Sequence, residues 1–216
     1  MTDIGEVWPL FGLRVTCGPL ELRPLRDEHL AELVEVARAG VHDPVSMPFL
    51  HPWTDAPEDQ LTLNVVQYHW RKRAEFSKER WSLELGVHWD GRLVGTQGVT
   101  TEDFLITRTG ETGSWLGLVH QGQGIGTLIR QAICTLCFDH LGFEQVTSGA
   151  FVDNPASLAV SRKVGYVANG QGRLKRREEM ALHQYLVLTP EALVRPEQPV
   201  HVEGVDGVRR LVGLDS

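Results

Sequence analysis

Three cysteines in 216 residues (Cys17, Cys134 and Cys137) are too few and too unevenly spaced for a disulfide framework, and a reducing, cytoplasmic compartment is expected. No apolar run approaches the roughly 20 residues that cross a bilayer. The stretch from Met1 to Glu6 has no basic segment leading into an apolar one, so neither a membrane anchor nor a secretory leader is expected. Basic residues are outnumbered, 21 against 28 acidic, for a net charge of -7. That balance argues against a nucleic-acid partner, because neutralising phosphates needs a basic surface. Repeats and low-complexity linkers are also missing. What remains is an ordinary globular composition, with 42% hydrophobic and 23% charged residues. The chain is long enough for one large domain with an appendage.

Phe11 to Leu25 alternates apolar and polar residues around Gly18-Pro19 and reads as a strand with a kink or turn. Asp27 opens a helix with Leu30, Leu33, Val34 and Ala37 on one face, closed by Gly40. Val41 to Thr54 is a loop with three prolines. Asp55 and Glu58 have capping-box spacing and predict a second helix carrying Leu61, Val65, Tyr68 and Arg71-Lys72-Arg73. From Trp81 to Trp89 the period becomes two, Asp90-Gly91 is a tight-turn signal, and Arg92 to Thr100 is the partner strand. Further strands are expected near Phe104 to Thr107 and Glu111 to Leu118. A glycine-rich loop, a helix from Leu128 to Phe138 ended by Gly142, and a strand from Gln145 to Phe151 come next. Asn154-Pro155 begins a short helix that Gly165 stops. Tyr166 to Ala168 and Ala181 to Thr189 are the last expected strands, and the basic run Arg173 to Arg177 between them reads as a solvated loop or as a contact for an acidic ligand. The order is that of an α/β protein with a meander before one central crossover.

The piece that carries chemistry is the strand, glycine loop and helix between Ser114 and His140. Glycines at 122, 124 and 126 let backbone approach a ligand at a helix start, where unpaired donors and the helix dipole favour an anion such as a pyrophosphate. A dinucleotide fingerprint fits poorly, since its third glycine falls on Thr127, and no Gly-Lys-Ser/Thr of a phosphate loop follows. The same glycines would also serve a plain tight strand-to-helix turn.

Trp115-Leu116-Gly117-Leu118-Val119-His120-Gln121-Gly122-Gln123-Gly124-Ile125-Gly126 resembles the acyl-CoA motif of the GNAT acetyltransferase superfamily, Gln/Arg-x-x-Gly-x-Gly/Ala, through Gln121, Gly124 and Gly126. Asn154-Pro155-Ala156-Ser157 followed by Lys163-Val164-Gly165-Tyr166 is similar to the family's second motif, Asn-x-x-Ser ahead of Lys-x-Gly-Phe/Tyr. Trp115-Leu116 is similar to the Rim-type branch that includes ribosomal-protein N-acetyltransferases. The resemblance covers roughly Leu20 to Leu188.

It implies a mixed, mostly antiparallel central sheet flanked by helices and splayed between its fourth and fifth strands, with acyl-CoA in the cleft. The donor would be acetyl-CoA or another acyl-CoA, succinyl-CoA included, and no metal is implied. Leu116, Leu118 and Val119 would border the pantetheine arm. Gln121, Gly122, Gln123, Gly124, Ile125, Gly126 and Thr127 would surround the pyrophosphate, and Asn154 and Ser157 would contact the pantetheine and phosphate end. Asn154 can equally be a plain helix cap. The family often keeps a catalytic carboxylate where Glu111 stands, with Glu84 the competing one. Its usual tyrosine acid is replaced by Ser161, which suits a hydrogen bond to sulfur better than proton donation. Tyr166 matches a core aromatic and does not take that role.

Cys134-x-x-Cys137 has metal-pair spacing but lies in an amphipathic helix with no second pair, so both read as buried thiols. On the acceptor side the loop holds His42, Asp43, Met47, Phe49 and Trp53, with Glu84 opposite. Large apolar side chains on a loop either cap the core or cover a ligand. The expected acceptor is a small-molecule or peptide amine, with Asp43 attracting a cation. The enzyme domain is expected over 1–195. Residues 196–216 form an extension whose Val200 to Val208 stretch reads as a strand, in its own or a partner's sheet, in a homodimer. Rival readings are a CoA-binding protein of the same fold with weak or lost turnover, and a nucleotide-binding protein using the glycine loop alone.

Overall fold

The expected first strand folds as two, because Gly18 takes a left-handed φ of 57° and turns the chain back on itself. The results are β1 (Arg14–Cys17) and β2 (Leu20–Pro24), with Cys17 opposite Leu20. The computed structural model describes residues 3–215. A single turn, α1 (Ile4–Val7), precedes β1. After β2 come α2 (Asp27–Arg38) and α3 (Glu58–Ala74), then the hairpin β3 (Arg80–Trp89) and β4 (Arg92–Glu102), turned at Asp90-Gly91 as the alternation predicts. A short turn α4 (Phe104–Thr107) leads to β5 (Thr109–Leu116), and the glycine loop to α5 (Ile125–Thr135). The chain continues through β6 (Gln145–Phe151), α6 (Pro155–Val164), β7 (Val167–Arg176) and β8 (Glu179–Leu188), then β9 (His201–Glu203) and α7 (Val205–Leu211).

Nine strands join in the order β7-β8-β6-β5-β4-β3-β2-β1-β9. Among the described residues only β5 and β6 pair in parallel. The result is the mixed, mostly antiparallel sheet flanked by helices that the resemblance implies. One face packs on α5, whose Ile125, Ile129, Ala132 and Ile133 are buried against strand residues such as Leu22, Leu83 and Val99. The other face is covered by α2 and α3 through Leu30, Leu33, Val34, Leu61 and Val65. β5 and β6 share three rungs only, ending at Glu111 opposite Thr147, while β5 stays on β4 as far as Leu116 and β6 stays on β8 as far as Phe151. The two strands then part. With β1 and β2 counted as the one expected strand, they are the fourth and fifth.

Four local expectations are corrected. Phe104 to Thr107 is a helical turn between two left-handed residues, Asp103 and Arg108, because Phe104 turns inward onto Trp81 and Phe143 at ring separations of 5.1 and 4.4 Å. Asp55 does not cap α3, which starts behind Pro57 without a side-chain cap. The Arg173 to Arg177 segment is the end of β7 and the hairpin tip, not a loop. β7 lies at the sheet edge, exposed throughout from Val167 to Gln171 and with only Gly172, Leu174 and Arg176 half-buried beyond, so burial imposes little alternation on it.

The fourth correction concerns the tail. Only His201–Glu203 is a strand, paired with β1 of the same chain. Gly204, at φ 71°, then turns the chain into α7, so Val205 to Val208 are helical. Val208 and Val212 are fully buried in the main core. Truncation after Arg195 is therefore expected to cost about 3 kcal/mol or more from these two side chains, and to lower Tm by roughly 6–12 °C. A thermal melt of the shortened chain checks this; an unchanged Tm would contradict it.

Candidate active site

The splay leaves backbone groups of β5 and β6 without ladder partners, and hydroxyls take over at its edge. Thr112 Oγ1 donates to Thr147 O at 3.2 Å, and Ser148 Oγ donates to Thr112 O at 3.2 Å. Below them Arg130 of α5 donates to Ser148 Oγ at 2.8 Å and to Ser114 Oγ at 3.2 Å, bridging the parted strands. Arg130 is buried, its Nε has no partner, and no carboxylate pairs with it among the described residues. Tyr166 is a core residue as expected, with its hydroxyl 2.8 Å from Thr112 Oγ1 and 3.4 Å from Cys134 Sγ. Burial pushes the Tyr166 phenol and the Cys134 and Cys137 thiols up from their ordinary values.

Beyond Leu116 the chain is tied down away from β6. Gly117 N donates to Val94 O at 2.8 Å and Leu118 N to Gly40 O at 2.9 Å. The Gln121 side chain is used structurally, donating to Val41 O at 2.6 Å and Leu116 O at 2.8 Å. Gln123 donates to Val119 O at 2.8 Å. Gly122 and Gly124 have φ of 74° and 86°, a region that favours glycine, and a Cβ on either would meet nothing within 4 Å. Among the described residues the amides of Gly122, Gln123, Gly124, Ile125 and Gly126 find no backbone acceptor; bonding resumes with Thr127 N to Gly124 O at 3.0 Å. Five free donors at the start of an eleven-residue helix suit an anion. Leu118 and Val119 are exposed beside them. Asn154 is the cap of α6, accepting from Ser157 N at 3.1 Å. Ser157 is half-buried and Ser161 buried in the same helix.

The opposite face of the sheet holds the carboxylates. Along β5, Thr112 and Ser114 meet Tyr166 and Arg130, so Glu111, Gly113 and Trp115 point the other way. Glu84, Gly98 and Gly113 are in register across β3, β4 and β5. The Glu84 carboxylate lies over Gly98, where a Cβ would stand 2.9 Å from Oε2. Tyr68 of α3 donates to Glu84 Oε1 at 3.0 Å, and Lys72, one helical turn on, lies 5.6 Å from the Tyr68 ring centre. Burial pushes Glu84 up to about 7, against the opposing pull of Lys72 and the Tyr68 hydrogen bond. Glu111 is exposed. Across the splay the His183 ring occupies the space that a Cβ on Gly149 would need, and burial lowers its proton affinity while Glu111 raises it.

From the acceptor loop a chain of rings reaches this face. His42 to Phe49, Phe49 to Trp53, and Trp53 to Trp115 are 5.6, 5.3 and 5.5 Å apart. Met47 is instead buried, and the Asp43 carboxylate accepts from Val45 N at 3.0 Å in a turn of the loop. Arg177, at the tip of the β7–β8 hairpin, donates to both Asp55 oxygens at 2.7 Å and to Pro44 O at 3.2 Å. Loop and hairpin therefore meet. Sequence reasoning missed Arg130, His183 and Arg177 as parts of this site. The i,i+4 spacing of Tyr68 and Lys72 was the one local hint of their pairing.

Residues 19–167 match the family model described as acetyltransferase (GNAT) domain. The chain belongs to that family. This GNAT chain is 31% identical over 91 residues to ribosomal N-acetyltransferase YdaF of Bacillus subtilis (strain 168), a match covering 42% of the chain and 49% of that relative. It thus spans about half the length of that curated relative. RimL, a ribosomal L7/L12 α-N-protein acetyltransferase solved with coenzyme A, superposes with a TM-score of 0.65 at 18% identity, over 81% of this chain and 96% of RimL. Mycobacterium smegmatis RimJ, solved with a CoA-disulfide, gives 0.63 at 20% identity, over 94% and 92%. At such identities the two superpositions establish the fold. The relatives named are of the Rim type, the branch that Trp115-Leu116 resembles. Among the described residues no helix is long and apolar enough to cross a membrane.

Proposed function

We propose that this GNAT chain transfers an acetyl or related acyl group from acyl-CoA to a primary amine by direct attack within a ternary complex. The observation that carries the reading is the parting of β5 and β6, with five unpaired amides on one side and a carboxylate of raised proton affinity on the other. The amides of Gly122 to Gly126 bind the pyrophosphate. The pantetheine arm enters the splay beside Leu116, Leu118 and Val119, where its amides pair with freed strand groups. Gln121 serves by holding the loop rather than by touching the donor.

Glu84 is assigned as the proton acceptor. A base works best when its proton affinity lies near the working pH, and burial pushes Glu84 up to about 7. Glu111 is the second carboxylate of the cleft and helps to draw a cationic amine. An ammonium gives a proton to Glu84, and its nitrogen attacks the thioester carbon, so a C–N bond forms and the carbonyl pair moves to oxygen. Collapse restores the carbonyl, breaks the C–S bond and releases the thiolate, while the second nitrogen proton leaves to solvent. A CoA thiolate needs no strong acid, so Ser161 is assigned only a hydrogen bond to sulfur.

The test is thiol release from acetyl-CoA with a panel of amines, set beside calorimetric binding of CoA, ATP and NAD. Amine-dependent thiol release with CoA bound preferentially is the expected result. CoA binding without release would leave a CoA-binding protein of this fold, and preference for ATP or NAD would reject the donor site.

A further inference from the structure

The acceptor loop and the β7–β8 hairpin belong to opposite arms of the splay. The loop is tied to the β5 arm, where Leu118 N donates to Gly40 O at 2.9 Å, Gln121 donates to Val41 O at 2.6 Å, and the Trp53 ring lies 5.5 Å from that of Trp115. The hairpin is tied to the β6 arm. There β8 stays on β6 as far as the Phe151–His183 rung, and Arg176 donates to both oxygens of Asp153, just after β6, at 2.7 and 2.8 Å. Among the described residues a single side chain, Arg177, joins loop to hairpin by hydrogen bonds or ion pairs. Its Nε and Nη2 hold the two oxygens of Asp55, and the same Nη2 reaches Pro44 O, so one guanidinium grips both ends of the segment 44–55. Between those ends Met47 is buried and Phe49 stacks on Trp53.

Two features set Arg177 apart from a brace that serves folding. It stands at the hairpin tip with a left-handed φ of 52°, where glycine or asparagine sits at least cost. Its ion pair is also weak by construction. The two side chains are 36% and 40% exposed, and a pair so open to water favours contact by only about fivefold. The turn thus accepts strain for a contact that adds little to stability.

Resting on the acyl-transfer reading, we propose that Arg177 is a positioning residue, a latch across the open end of the splay. It holds the acceptor loop, and with it the Phe49 and Trp53 rings against Trp115, in the form that meets the acceptor. With the latch closed the loop is ordered before the acceptor arrives, and binding has less ordering to supply. With it open the loop keeps its hold on the β5 arm and loses its hold on the β6 arm. The donor site is spared, because among the described residues the glycine loop makes no hydrogen bond with Arg177, Pro44 or Asp55.

The experiment cuts the latch without straining the fold. Arg177→Gly suits the left-handed tip, and Arg177→Asp combined with Asp55→Arg restores the attraction in reverse. Both are compared with wild type in acyl transfer from acetyl-CoA to n-butylamine and to the α-amine of a trialanine amide. Calorimetric CoA affinity, thermal melting and amide hydrogen exchange over residues 45–54 are measured alongside. Arg177→Gly should raise the acceptor KM and quicken the exchange by about fivefold each, with kcat and CoA affinity within about twofold of wild type. Its Tm should stay within about 3 °C, since relief of the turn offsets loss of the pair. The exchanged pair should return KM and hydrogen exchange to about the wild-type values. An unchanged KM in Arg177→Gly, a loss of CoA affinity as large as the rise in KM, or an exchanged pair that behaves like Arg177→Gly overturns the proposal. So does a lowered Tm with KM and exchange unchanged, which would make Arg177 a brace of the hairpin. Absence of thiol release by wild type with either amine, while exchange over 45–54 still follows the Arg177–Asp55 pair, would instead reject the acyl-transfer reading and leave the latch standing.

Discussion

Glu84→Gln is expected to lower the acyl-transfer rate by about 10²-fold or more at pH 8 and, at the same pH, to raise Tm. Both effects have one origin. Burial lifts the Glu84 carboxyl from the ordinary carboxylate range to about 7 in the folded protein. The native state therefore holds this proton more tightly than the unfolded chain, and the stabilisation it gives is fully present only below the ordinary carboxylate range. It is lost as the pH rises through about 7, where the ionised group sits half-buried. Glutamine keeps the Tyr68 hydrogen bond and never ionises, so its Tm advantage should be absent near pH 4, grow between about 4.5 and 7, and level off above. The wild-type rate should rise with pH through about 7, and the variant should lack that limb. Glu111→Gln is the companion measurement. If it removes the limb while Glu84→Gln retains it, the proton acceptor is Glu111. If both variants retain it, the proton goes to water.

Gly124→Val is expected to abolish CoA binding in a chain that still folds. At φ 86° the backbone is left-handed, where a side chain costs roughly 1–2 kcal/mol, more if branched. That is a modest loss for a domain of this size, and nothing of the protein lies within 4 Å of the new Cβ. The free space adjoins the unpaired amides, so the valine methyls would crowd the phosphates proposed to bind there. Gly124→Ala carries the backbone strain without the branch and separates the two effects. Calorimetric titration with CoA reads both variants. Unchanged affinity in a folded Gly124→Val protein would remove the pyrophosphate from this loop.

The loop, helix start and cap proposed to hold the donor were legible in the sequence because they are local. Loop, helix start and cap lie within consecutive residues, and glycine spacing alone signals left-handed turns at a helix N-terminus. The acceptor side was less legible, since its parts are brought together by strand register. Glu84 was legible only as the competitor of Glu111; what favours it, Tyr68 lying over it and Gly98 beneath it, leaves no mark in the spacing of β3. Arg177 looked like part of a solvated basic run, because its partner Asp55 is more than a hundred residues away and had the spacing of a cap. The tail misled for a different reason. Val205 to Val208 alternate with polar residues, yet Gly204 crosses close to Gly12 O and bends the chain into a helix on the core.

The guanidinium beneath the splay gives the sheet a polarity across its thickness. On the α5 face stand Arg130, buried with no carboxylate paired to it among the described residues, and the positive end of the helix; on the other stand Glu84 and Glu111. In the proposed transfer, attack by an amine on the carboxylate face would separate charge in the same sense, positive on nitrogen and negative on oxygen and then sulfur. Fixed charges aimed in this way need no reorganisation as the reaction proceeds. Because Arg130 is closed off from solvent, its share of this field is little screened by dissolved salt. The parted strands are thus a gap between two plates of opposite sign, across which the proposed transfer would carry the acyl group.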